Sequence, residues 1–126
     1  MKVDLHRLGG SEVIMGMIEK YPNKVEIRLG EILKERGLSQ GDLHRMTGIR
    51  VATINEIANA KKYSMNIVHL VCIMSALRIT DVREIFNIEF DEEVKEAWKE
   101  EMEHYESGMT NKQKQEVQEN MNKMFT

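Results

Sequence analysis

Cysteine, proline and aromatic residues are scarce in this chain of 126 residues. Its one cysteine, Cys72, allows no disulfide within the chain, which fits a reducing compartment. The single proline, Pro22, leaves long stretches free to form helices. No apolar signal core follows Met1, and no run approaches the roughly 20 apolar residues of a membrane span. We therefore expect an all-α, cytoplasmic protein with no membrane partner.

Motifs that carry catalytic chemistry or bind cofactors are also lacking. The Gly9-Gly10 pair is too short to form a phosphate-binding loop. The Glu-x-x-His spacing of di-iron bundles occurs once, at Glu101 and His104, whereas those bundles need two copies and two further glutamates. We expect no enzymatic activity, no cofactor and no metal site.

The net charge of −3 is unevenly distributed along the chain. Residues 23–78 carry 9 basic and 5 acidic side chains, whereas residues 79–126 carry 6 basic and 13 acidic ones. A basic middle and an acidic end are typical of a DNA-binding module joined to a protein-interaction module. The alternative is that both charged surfaces are only solvated.

Residues 38–61 carry the pattern of two short helices joined by a tight turn. Ser39 and Asp42 have the spacing of a capping box at the start of the first helix. Leu43 and Met46, three residues apart, predict the inward face of that helix.

The turn contains Gly48, which can adopt the positive φ that a sharp turn needs, and the second helix begins at Val51. Ile49 is expected to fill the space between the helices. The second helix has two faces. The apolar face, expected to be buried, consists of Ile54, Ile57 and Ala58. The opposite face, short and polar enough to enter a major groove, consists of Val51, Ala52, Asn55, Glu56 and Asn59.

This stretch resembles the helix-turn-helix of the phage Cro/repressor family, also called the xenobiotic-response-element (XRE) family. The resemblance is carried by Ser39-Gln40, Leu43, Thr47-Gly48-Ile49, Thr53-Ile54, Ile57 and Asn59-x-Lys61, and by flanking segments at Leu29, Ile32, Leu33, 66–77 and 80–86. It covers residues 23–87 and implies a five-helix, lambda-repressor-like domain that binds double-stranded DNA. Its first helix would span residues 23–36, and Thr80 would cap its fifth.

The predicted DNA contacts differ in kind. Asn55 can read an adenine, Arg50 can reach a guanine or a phosphate, and Val51 and Ala52 can meet thymine methyl groups. Lysines after the second helix are placed to meet phosphates, and the resemblance implies the same for Gln40. The complete predicted set is Gln40, Arg50, Val51, Ala52, Thr53, Asn55, Glu56, Asn59, Lys61 and Lys62.

Helices are also predicted on both sides of this domain. Residues 1–22 form an N-terminal extension in which Ser11 can cap a short helix over 12–20, expected to pack on the domain. Residues 66–77 are apolar nearly all round, which predicts a central helix of the bundle.

Residues 88–126 are predicted to form a helical hairpin. The first helix would end at Ser107-Gly108, and Thr110 with Gln113 would form a second capping box. The apolar stripes of the two helices consist of Val94, Trp98, Met102, Tyr105, Val117, Met121, Met124 and Phe125. Such a hairpin has too little core of its own, so we expect these residues to meet another surface.

The hairpin resembles the helical hook of the Sin repressor and anti-repressor pair. The resemblance is carried by Trp98, Met102, residues 106–110, Gln113, Val117 and Met121. In that family the hook mediates self-association of the repressor or its capture by the anti-repressor. The resemblance therefore implies association through this segment. The alternative is that the hook folds back onto its own domain as extra core.

Two functions are consistent with these residues. The first is a sequence-specific transcriptional regulator, a repressor, that binds operator DNA as a homodimer or higher homo-oligomer through a recognition helix at 51–59. The second is an interaction protein, an antitoxin or anti-repressor, whose hook captures another regulator. Val51 and Ala52 stand where the family has polar base readers, which favours the second. Arg50, Asn55 and the lysines favour the first.

Overall fold

The structure, a computed structural model, describes residues 1–5, 12–61 and 64–125. In these residues the chain forms mainly helices, with two short strands and one 3₁₀ turn. The elements in chain order are α1 (Glu12–Lys20), β1 (Asn23–Ile27), α2 (Leu29–Glu35), α3 (Gln40–Thr47), α4 (Val51–Ala58), α5 (Ile67–Leu77), a 3₁₀ turn (Val82–Glu84), β2 (Phe86–Phe90), α6 (Glu92–Met102) and α7 (Asn111–Met124). No helix in this part of the chain is long and apolar enough to cross a membrane.

The chain divides into two compact units. The first unit contains the described residues 1–5, 24–61 and 64–89. The second unit contains the described residues 12–23 and 90–125. Packing in the first unit centres on isoleucine and leucine side chains from α2, α3, α4 and α5. Its buried cluster consists of Ile27, Leu29, Ile32, Leu33, Leu43, Ile49, Ile54, Ile57, Ile73, Leu77, Ile79 and Ile85.

The chain is mainly helical, but the prediction of an all-α chain is wrong, because residues 23–27 form a strand rather than the start of a helix. Val25 and Ile27 are buried and the residues between and before them are not, which is the two-residue alternation of a strand. Strand β1 is hydrogen-bonded to β2. It also receives the first residues of the chain, where Val3 N–H donates to the Val25 carbonyl at 2.9 Å. The first domain helix is therefore α2, which starts at Leu29, and Gly37 follows it with a φ of +67°.

The fourth and fifth helices of the predicted bundle also differ from expectation. Only Ile73 and Leu77 are buried on α5, so this helix is not the central helix of the bundle that its apolar run predicts. In place of the fifth helix there is a 3₁₀ turn, and Asp81 rather than Thr80 caps it by accepting a hydrogen bond from the Arg83 N–H at 3.0 Å. The chain then enters β2. The sequence predicts the end of the fifth helix and a connector for this segment.

The second unit is built from α1, α6 and α7. Helix α1 has the bounds that the sequence predicts, although its predicted cap, Ser11, lies outside the described residues. Helix α6 ends at Met102, earlier than predicted, and leaves Tyr105 beyond the helix. The following turn contains Gly108 at φ +69°, and α7 begins at a capping box between Thr110 and Gln113, as predicted.

Candidate nucleic-acid interface

Helix α3 begins with the predicted capping box. The Ser39 hydroxyl accepts a hydrogen bond from the Asp42 N–H at 3.0 Å, and the Asp42 carboxylate accepts one from the Ser39 N–H at 2.8 Å. The Ser39 N–H, followed by its hydroxyl and by the Arg45 guanidinium, lowers the pKa of Asp42 below its usual value. The box fixes Gln40 as the first residue of α3.

The turn between α3 and α4 is held by side chains as well as by glycine. Gly48 has the predicted positive φ, +79°. The Thr47 hydroxyl donates to the Leu43 carbonyl at 2.7 Å and accepts from the Ile49 N–H at 3.1 Å. His44 Nδ1 donates to the Ile49 carbonyl at 2.7 Å, because a carbonyl can only accept. These bonds satisfy the backbone of the turn, and the sequence did not predict the roles of His44 and Thr47.

The inward side of the motif matches the prediction with one exception. Ile49, Ile54, Ile57 and Ala58 are all buried. Met46 is 47% exposed, whereas Leu43, one turn earlier, is fully buried, so the prediction for Met46 is wrong. Three residues advance a helix by about 300°, which places Met46 roughly 60° from the centre of the face that Leu43 occupies.

The opposite side of α4 is open to solvent at its start. Val51 and Ala52 are exposed, and so is Arg50, the N-cap residue, whose side chain makes no capping hydrogen bond. The remaining predicted contacts on this helix are half-buried: Thr53, Asn55, Glu56 and Asn59. The side of α4 opposite its buried face therefore carries small apolar residues at the start of the helix and half-buried polar residues further along.

Two of the predicted DNA-contacting side chains bond to each other. Asn55 Nδ2 donates to Gln40 Oε1 at 3.3 Å, which links the first residue of α3 to the middle of α4. Asn59 Nδ2 donates to the Asn55 carbonyl at 3.0 Å. With one amide hydrogen given to Gln40, Asn55 keeps a second hydrogen and its side-chain oxygen, the two groups that a bidentate contact with adenine uses.

Helix α4 ends in a tight loop at Ala60, which has a φ of +55° although it is not glycine. The Lys61 N–H donates to the Glu56 carbonyl at 2.8 Å, so this loop folds back on the helix. The Lys61 side chain is exposed. Lys62, the other predicted phosphate contact, lies outside the described residues.

The predicted association residues fall into two groups in the second unit. Val94 is buried. Trp98 is half-buried, and its ring centroid lies 4.9 Å from the ring centroids of both Tyr21 and Phe90. The other predicted residues are exposed: Met102, Tyr105, Val117, Met121, Met124 and Phe125. Part of the expected association stripe is thus used inside the chain.

Helix α1 lies along α7. The Lys20 ammonium is 3.2 Å from a Glu116 carboxylate oxygen and 3.4 Å from Glu119, and the Tyr21 hydroxyl donates to Glu116. Desolvation and the Glu116 carboxylate raise the pKa of Tyr21. Residues about 95 positions apart make these contacts, so no local sequence pattern could indicate them. The sequence-predicted N-terminal helix therefore belongs to the hairpin unit.

The sequence of residues 28–91 matches the Cro/C1-type HTH DNA-binding domain, over slightly more than half of the chain. The chain belongs to the Cro/C1-type helix-turn-helix family. The Cro/C1-type domain runs from the residue before α2 to the residue after β2, and it contains all ten predicted DNA contacts. Searches of curated proteins and of solved structures found no match. No group of side chains in the described part of the chain could hold a metal ion.

Proposed function

We propose that this Cro/C1-type protein is a sequence-specific transcriptional repressor that binds operator DNA as a dimer. The observation that carries the proposal is the open side of α4. One face of this short helix is buried through Ile54, Ile57 and Ala58. The opposite face carries small and polar side chains. A major groove about 12 Å wide admits such a helix.

Base reading is assigned to the start and middle of α4. Asn55 is proposed to contact adenine, Arg50 a guanine or phosphate, and Val51 and Ala52 the thymine methyl groups. Gln40 orients the Asn55 amide through the 3.3 Å hydrogen bond, and its own amide hydrogens remain available for a phosphate. The remaining proposed contacts are Thr53, Glu56, Asn59, Lys61 and Lys62.

Dimer formation is assigned to the hairpin segment. One helix-turn-helix reads few bases, and two copies on half-sites about 34–36 Å apart read more. The exposed apolar residues of α7 support this assignment, with Phe125 78% and Met124 57% exposed. A cluster of large, solvent-exposed apolar side chains is typical of an association surface. Trp98 and Val94 are better assigned to the chain's own packing.

An anti-repressor or antitoxin is the second candidate. Val51 is apolar, 43% exposed and placed where the helix would meet base edges. An exposed apolar residue at this position is expected in a protein that no longer reads base sequence but still associates through its hook. Binding to DNA distinguishes the two candidates, because only the repressor needs the open side of α4.

The experiment is a binding titration of genomic fragments with the full chain at about 50 and 200 mM salt. We expect at least one fragment to bind tightly and with a steep salt dependence. Lys61→Ala should weaken all fragments alike and lower the salt slope by about one. Lys112→Ala, which removes the same charge from α7, is the matched control and should leave the slope unchanged. Absence of any preferred fragment at the lower salt would favour the second candidate.

A further inference from the structure

The residue before the N-cap of α4 is held by side chains of α3 at both of its backbone polar groups. The Ile49 N–H donates to the Thr47 hydroxyl at 3.1 Å, and the Ile49 carbonyl accepts from His44 Nδ1 at 2.7 Å. The Ile49 side chain is buried as well. Because a peptide unit is planar, the held carbonyl also fixes the direction of the Arg50 N–H. The backbone therefore enters α4 from a fixed position.

Helix α4 depends on this support because no side chain caps its start. The N-cap residue, Arg50, makes no side-chain capping hydrogen bond. Helices α3 and α5 of the same unit begin at Ser39 and Asn66, whose side-chain oxygens accept hydrogen bonds from backbone N–H groups of the first turn. A helix without such a cap opens more readily at its first turn, since the first N–H groups have no partner within the helix. The bond from His44 to the Ile49 carbonyl holds the start of α4 in place of a cap.

His44 acts from the side of α3 that also carries Gln40. The two residues are four positions apart, which places them on the same face of a helix, one turn from each other. The Gln40 side chain accepts a hydrogen bond from Asn55 at 3.3 Å, in the middle of α4. One side of α3 thus supports α4 at two points, the start through His44 and the middle through Gln40.

The start of α4 is where three of the proposed base contacts lie. Arg50, Val51 and Ala52 are exposed there, and the backbone at the start of the helix decides where their side chains meet base edges. We propose that His44 is a positioning residue, which holds the Ile49 carbonyl and thereby places these three residues for base reading. The inference rests on the proposed function, because base reading is assigned to α4.

Two variants of similar shape separate the hydrogen bond from the bulk of the side chain. His44→Asn keeps a donor nitrogen two bonds from Cβ, as Nδ1 is, whereas His44→Leu has no donor. Affinity is measured on the selected operator and on a non-operator duplex. The ratio of the two affinities should fall about 2- to 10-fold in His44→Leu, the factor of one ordinary hydrogen bond, and stay at the wild-type value in His44→Asn. A wild-type ratio in His44→Leu, or an equal fall in both variants, would overturn the proposal.

The loss of preference should be confined to the bases that the start of α4 reads. In a selection from random duplexes, His44→Leu should lose preference at the positions that Arg50→Ala affects and keep the position that Asn55→Ala affects. A uniform loss at every position would contradict the proposal.

A second variant controls for stability. Asn66→Ala removes the cap of α5 in the same unit, where the Asn66 side chain accepts from the Val68 N–H at 2.8 Å. It should lower the melting temperature and leave the affinity ratio unchanged. If Asn66→Ala lowered the ratio as much as His44→Leu does, the ratio would follow stability alone, and the proposal would be wrong.

Amide hydrogen exchange tests the support without DNA. The Ile49 N–H is bonded to Thr47 and the Ile54 N–H to the Arg50 carbonyl, on either side of the entry into α4. In the free chain both amides should exchange faster in His44→Leu than in His44→Asn or the wild type, because the start of α4 opens more often. If the wild type selects no operator, the proposed function fails, and this exchange then decides whether His44 holds the start of α4. Equal rates in the wild type and His44→Leu would refute that role.

Discussion

Leu43 and Met46 allow a direct test of how α3 packs. Both are large apolar residues on one eight-residue helix, one turn apart, and both belong to the inward face that the sequence predicts. The structure separates them, with Leu43 0% exposed and Met46 47% exposed. Each can be changed to alanine, which removes a similar volume and has a similar effect on helix propensity.

The expected losses differ several-fold. Leu43→Ala leaves a cavity among side chains of the first unit, and fully buried leucines lose about 2–5 kcal/mol on truncation. Met46→Ala leaves no cavity, and exposed positions usually change stability by about 0.5 kcal/mol or less. With a urea m-value of about 2 kcal/mol per M, the Leu43 variant should unfold at about 1–2.5 M less urea.

The measurement is urea unfolding followed by circular dichroism, together with hydrogen exchange of the α3 amides. Leu43→Ala should speed exchange across α3, and Met46→Ala should leave it close to the wild-type rate. Equal losses of stability in the two variants would refute the packing described here, because they would place Met46 in the core as the sequence pattern suggested.

Three further predictions concern charge and the second unit. The pKa of Asp42 is lowered in the folded chain, so its contribution to stability is present above about pH 4 and lost as the pH falls through the folded value; acid unfolding of Asp42→Asn should show a weaker pH dependence. The pKa of Tyr21 is raised, so its contribution is complete below about pH 10 and lost as the pH rises through the folded value. Tyr21→Phe should remove a tyrosine that ionises above the usual pH in an absorbance titration, and an unchanged titration curve would contradict the hydrogen bond to Glu116. Trp98→Ala should lower the melting temperature, whereas Phe125→Ala should leave it unchanged and weaken self-association in sedimentation, and the reverse pattern would contradict the assignment of the two residues.

The helix-turn-helix could be predicted because its determinants are local. The capping box at Ser39, the positive φ at Gly48 and the buried face at Ile54 each follow from spacings of a few residues. The family model confirms the domain to which they belong. Local patterns of this kind recur whenever the same backbone geometry is needed, so one sequence suffices to detect them.

The remaining differences come from contacts between distant residues. A run of apolar residues in α5 predicts burial, but only Ile73 and Leu77 of this helix are buried. The strand at Val25 depends on β2 and on the first residues of the chain, more than 20 positions away. The packing of Tyr21 on Trp98 joins positions 77 residues apart. A pattern within one helix indicates which side is apolar, but it does not indicate what covers that side.

Selection of DNA from a random duplex pool by the full chain tests the central claim, that the open side of α4 reads base sequence. The wild type should enrich two inverted half-sites whose centres lie about one helical turn, 34–36 Å, apart. Asn55→Ala should lose the preference at one position in each half-site, at a cost of about 1–3 kcal/mol there. Enrichment of no sequence, or a motif unchanged in both Asn55→Ala and Arg50→Ala, would contradict the claim.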